Sequence, residues 1–238
     1  MALPLLMAIV ILMDSYSGIL GQSALTWLNT QIYNINLLYI MPLMSIIVCT
    51  NFTAKEIEDR SLGLYIYRIN NRRVIYKAKI LSHLLFTALV FLSVSILLIA
   101  LYYGMVVRNT VVASGDFGLD IHLGGNMVVY TILFLYNVVI IPSVTVCLGV
   151  FFKPTPTIGL VASLVIISHY LHEFTKFVKY LNPWGYVAEI VTPIISVGEI
   201  TIKNSQAFTY LLLSLILAVI IAIGTYAIGA GKFIRRDL

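Results

Sequence analysis

The sequence predicts an all-α polytopic membrane protein with six transmembrane helices. That class rests on composition, on the length of the apolar runs and on where the charges sit. Of 238 residues, 60% are hydrophobic and 11% charged, and the mean hydropathy is +0.98. Soluble domains carry about 25% charged residues, and no soluble core of this size hides so much apolar side chain. A helix needs roughly 20 apolar residues to cross the hydrocarbon layer, which leaves room for about six spans. The runs are continuous rather than alternating, so helices are favoured over a barrel. Seven of the 15 Lys and Arg fall between Lys55 and Lys79, a stretch too charged to cross lipid.

The first span is expected at about 1–21. Its front carries no basic flank, unlike a signal peptide, and a preceding segment is expected in the natural protein. Residues 22–35 are polar and aromatic, with Gln22, Trp27, Asn29, Gln31 and Asn34. They suit an outer interface, where Trp and Tyr settle. The second span, about 36–53, contains Pro42, which predicts a kink. Residues 54–79 form a charged loop. The third span covers about 80–103, and residues 104–125, with Arg108, Asp116 and Asp120, form an outer loop. The fourth span, about 126–152, contains Pro142. Lys153-Pro154-Thr155-Pro156 reads as a tight turn. The fifth span, about 157–171, is short. Residues 172–205 hold apolar pieces too short to span, broken at Pro183 and Pro193. They suit a re-entrant outer hairpin shielded by protein. The sixth span is about 207–230, and Gly224, Ala227 and Gly231 give its end a small-residue face.

Charge sets the orientation. With 54–79, Lys153 and the C-terminal tail inside, eleven of the 15 Lys and Arg are cytoplasmic; Arg108, Lys176, Lys179 and Lys203 are outside. The bias predicts both termini in the cytoplasm. The net charge of +5 is thereby explained by topology and anionic lipid, not by nucleic acid. Cys49 and Cys147 lie within apolar runs and read as buried small hydrophobes rather than a disulfide.

The stretch KEIEDRSLGLYIYRINNRRVIYKAK, with the six-span pattern and the proline-broken hairpin, resembles the type-2 ABC transporter permeases. In that family an acid precedes a Gly-Thr-Leu-like step, then an apolar stretch, a Pro-x-x-Arg-like turn and a Gly-Lys opening the next helix. The acid falls on Glu56, the small-hydroxyl and leucine positions on Ser61 and Leu62, the arginine on Arg72 and the lysine on Lys79. Arg60, Ile69 and Ala78 depart from the usual glycine, proline and glycine.

The resemblance implies a bacterial plasma-membrane exporter of a peptide, antibiotic or lipid-like substrate, of the kind that confers bacteriocin or lantibiotic immunity. It implies separate ABC ATPase subunits carrying ATP and Mg, a second permease copy or paralogue, and no cofactor in this chain. It also implies a coupling helix in the 54–79 loop. Tyr65 and Tyr67 would seat in a groove of the ATPase, with Arg68 and Arg72 pairing acids there. Without the resemblance, the same loop reads as a basic topology anchor.

Other candidates carry less. Gly229-Ala230-Gly231-Lys232 lacks the spacing and the hydroxyl of a phosphate-binding loop, so the chain is not expected to hydrolyse ATP. Asp14 within the first span and Glu189 beside the hairpin are candidates for a substrate path or gate. His169, His172 and Glu173 form H-x-x-H-E, which is not the zinc-hydrolase order; a polar helix end is expected. Glu58-Asp59 is too charged a setting for an intramembrane protease pair. The competing functions are a membrane-embedded hydrolase or transferase, and a passive immunity or receptor protein.

Overall fold

The computed structural model describes residues 23–59, 71–107, 115–118, 123–174, 183–187 and 204–235. Every element among them is helical. Helix α1 is Ala24–Leu37 and α2 is Ile40–Thr50; α2 continues through a π turn, Asn51–Lys55, to Glu58. Helix α3 is Arg72–Leu101 and ends in a π turn, Tyr102–Val106. Helices α4 (Leu123–Phe134) and α5 (Ile141–Phe151) are halves of one rod joined by the π turn Leu135–Ile140. Helix α6 is Pro154–Phe174, and α7 is Asn204–Arg235. Among the described residues, four helices are long and apolar enough to cross a membrane: Ile40–Glu58, Arg72–Gly104, Gly124–Phe151 and Gln206–Arg235.

The α4–α5 rod is the hub. Its most apolar stretch is 72% buried inside the protein, against 11% for α7. Helix α7 packs along both halves of the rod, α2 packs on α5 and α6, and α1 on α4. Within the rod, Pro142 has no N–H to give the carbonyl of Val138, four residues back. The hydroxyl of Thr87 on α3 approaches that carbonyl at 3.5 Å. That hydroxyl donates mainly to its own helix, reaching the His83 carbonyl at 2.8 Å.

Residues 22–35, expected at an outer interface, contribute most of helix α1, much of which is buried within the protein. In α1, Trp27, Asn29, Gln31 and Asn36 are all at most 3% exposed. The amides are tolerated because they bond to protein. Asn29 Nδ2 donates to Asn126 Oδ1 at 3.0 Å and to its carbonyl at 2.9 Å, and Asn126 Nδ2 donates to Thr26 at 3.0 Å. Ser23 caps the helix, accepting the Thr26 N–H at 3.4 Å. The N–H groups of Ala24 and Leu25 donate to the carbonyls of Asp116 and Phe117. The chain passes close there: a Cβ on Gly118, whose φ is +89°, would lie 2.5 Å from Ser23 Oγ.

Three further expectations shift. The break in the 36–53 region comes before Pro42, at Tyr39, whose φ is 59°. Pro42 then sits in the first turn of α2, where a missing N–H costs nothing. The Tyr39 ring lies edge-on to His169, 4.9 Å away. Pro154 and Pro156 do not form a turn outside a helix; they occupy the first turn of α6, for the same reason. Helix also enters the 54–79 loop from both sides, to Glu58 and from Arg72. Charges at a helix end reach water as well as charges in a loop do.

Candidate functional site

The charged stretch brings three helix ends together. Glu56 lies in the last turn after α2, and Lys79 about two turns into α3. Lys79 Nζ donates to the Glu56 carboxylate and, at 2.9 Å, to the carbonyl of Phe52. Both side chains are recessed, Lys79 at 14% and Glu56 at 30% exposure. Asn71 caps α3, its side-chain oxygen accepting the N–H groups of Arg73 and Val74 at 3.2 and 3.4 Å. That cap aims Arg72 at the last turn of α7, where its Nη1 donates to the carbonyl of Ile234 at 3.0 Å. A cation there meets the carbonyl ends that a helix leaves open. Lys153 and Glu58 approach to 3.7 Å on the exposed surface, a pair worth little.

Beneath these polar ties is an apolar plug separate from the main core. Ile57 follows α2, Ile75 and Tyr76 come from α3, Val150 from α5 and Phe233 from α7. The Tyr76 ring lies 5.4 Å from Phe233 and 5.8 Å from Tyr226. Contact with α7 is close, since a Cβ on Gly229 would fall 1.9 Å from the Tyr76 hydroxyl. Beside the plug, Thr53 Oγ1 and His83 Nε2 share a buried hydrogen bond of 2.9 Å. Chemically the arrangement is a joint. The two ends of the 59–71 connection are bonded to each other, and one of them also holds the end of α7.

No protein-family model, curated protein or solved structure matches this chain.

Of the residues singled out in the sequence, Glu56, Arg72 and Lys79 are brought into this joint. Ser61, Leu62, Tyr65, Tyr67 and Arg68 lie outside the described residues, as do Asp14 and Glu189. His169 is 4% exposed and packs against Trp184, ring centroids 3.9 Å apart. Its Nδ1 donates to the carbonyl of Val165 at 2.8 Å. That is a packed helix residue rather than an open ligand, and among the described residues no three His, Cys, Asp or Glu side chains converge. Cys49 and Cys147 are buried and free. Around Gly224 and Gly231, space is open; the tight contact of α7 is at Gly229 instead.

Sequence reasoning missed Tyr76, His83 and Gly229. His83 had a readable signal, four residues after Lys79 and so on the same helical face. Gly229 had only the Gly-Ala-Gly run, which does not say which glycine meets a ring.

Proposed function

We propose that this chain is the membrane-spanning subunit of a type-2 ABC transporter. It exports a peptide, antibiotic or lipid-like substrate and is driven by separate ATPase subunits. The observation that carries this reading is the joint itself: Glu56 bonded to Lys79, and Arg72 bonded to the last turn of α7. A partner pushing on residues 60–70 would move α2, α3 and α7 as one body. A loop serving only to fix topology needs charge but no such ties.

In this reading the four candidate spans, α6 and residues 1–21 make six, with the charged end in the cytoplasm of a bacterial cell. Two copies, or this chain and a paralogue, meet in the membrane. Tyr65 and Tyr67 seat in the ATPase, with Ser61, Leu62 and Arg68 beside them, and ATP and Mg stay on that partner. Asp14 and Glu189 remain the candidates along the substrate path.

The test places a single cysteine at Tyr65 in cells and probes it with a membrane-impermeant maleimide. Labelling only after the inner face is opened, with protection when the ATPase is co-expressed, is the expected result. Labelling from outside intact cells, or transport by the purified chain without ATP, would sink the reading.

A further inference from the structure

Between the end of α2 and the first turns of α3 lies a cleft of about 240 Å³, lined by Phe52, Glu56, Lys79, Ser82, His83 and Phe86. It is below the roughly 300 Å³ at which pockets enclose a whole small molecule, so it suits part of a larger one. Its wall continues into bare apolar surface: Phe52, Leu85, Phe86 and Leu89 are 54, 58, 43 and 65% exposed. On a membrane-crossing helix such surface faces acyl chains rather than water.

The polar floor is specific. An ammonium has three N–H donors; Lys79 gives one to Glu56 and one to the Phe52 carbonyl, and the third suits a phosphate oxygen. The Ser82 hydroxyl is turned back to its own helix, bonding the Lys79 carbonyl at 2.8 Å. His83 is engaged with Thr53. The cleft thus offers one cation and one carboxylate side by side, with apolar walls leading away.

We infer that this cleft binds the headgroup of a zwitterionic, amine-bearing glycerophospholipid. The phosphate meets Lys79, the ammonium meets Glu56, and the acyl chains lie along Phe86 and Leu89. An anionic headgroup without an amine would bring a second negative charge beside the Glu56 carboxylate and no ammonium to offset it. A quaternary ammonium would lack the N–H to donate. This inference needs a membrane but no ATPase, so it stands apart from the transport reading.

The experiment is native mass spectrometry of the full chain, released from detergent after incubation with equal amounts of phosphatidylethanolamine, phosphatidylcholine and phosphatidylglycerol. Phosphatidylethanolamine should be retained about tenfold over either of the others, the value of one charge-assisted hydrogen bond. Lys79→Gln should erase that preference. Because Lys79→Gln disturbs the joint, Ser82→Trp is the second variant: it fills the cleft from an exposed position and leaves the ion pair in place. It should lose the bound lipid while keeping wild-type helicity. Equal retention of the three lipids, a preference for phosphatidylglycerol, or wild-type lipid retention by a folded Ser82→Trp would each overturn the inference.

Discussion

The two ends of this bundle fasten their helices with different chemistry. At one end the fasteners are charged: Lys79 to Glu56, Arg72 to the carbonyl of Ile234, and Lys153 near Glu58. At the other they are neutral: Asn29 to Asn126, Asn126 to Thr26, and stacked rings of Tyr33 and Trp184, 4.9 Å apart and 6° from parallel. Charge is affordable only where long side chains reach water or a partner charge. Amides and rings join helices where water is scarce, because an amide N–H finds an acceptor on the neighbouring helix, as Asn29 does at Asn126 and Asn126 at Thr26. The neutral end is therefore the more deeply packed, and the charged end the more open to partners and salt.

The largest way to break this contrast is at the neutral end. Trp184 is 1% exposed and packs on Tyr33, Tyr136 and His169. Trp184→Ala should cost about 3–5 kcal/mol, read as a lowered midpoint in thermal denaturation in detergent, with no dependence on salt. Next comes Glu56→Gln, which leaves the recessed Lys79 without its counter-charge and should cost about 1–3 kcal/mol, between an exposed and a buried pair. The exchange Glu56→Lys with Lys79→Glu should recover part of that loss; no recovery would mean that the loss does not come from the attraction between the two charges. The smallest effect is expected from Lys153→Ala. With Lys153 at 77% exposure, the change should stay within about 0.5 kcal/mol and vanish in high salt. A loss equal to that of Glu56→Gln would erase the distinction between recessed and exposed charges.

The same contrast explains what could be read from the sequence. Long apolar runs declare helices in lipid because nothing else satisfies their backbone, so α3, the α4–α5 rod and α7 were legible. Helix α1 was not. Asn29 looks like an interface residue until Asn126, 97 positions later, is known to lie across from it. A single chain of letters does not disclose that pairing. The cluster of charge between Lys55 and Lys79 does not mark where a helix begins, so α3 starts at Arg72, eight residues before the expected third span. Glu56, Arg72 and Lys79 were picked out by the resemblance to the permease loop. Their shared joint was not, because it depends on the last turn of α7, some 160 residues on.

The π turns carry one further consequence. A π turn inside a helix holds one extra residue, and one residue of α-helix corresponds to a rise of about 1.5 Å and a rotation of about 100°. Leu135–Ile140 sits between α4 and α5, next to a proline that already weakens the backbone ladder. Winding that residue in or out would swivel α5 beneath a stationary α4, as a clutch lets one shaft turn against another. Such a change would alter which side chains the rod presents at the charged end while its opposite half kept its place.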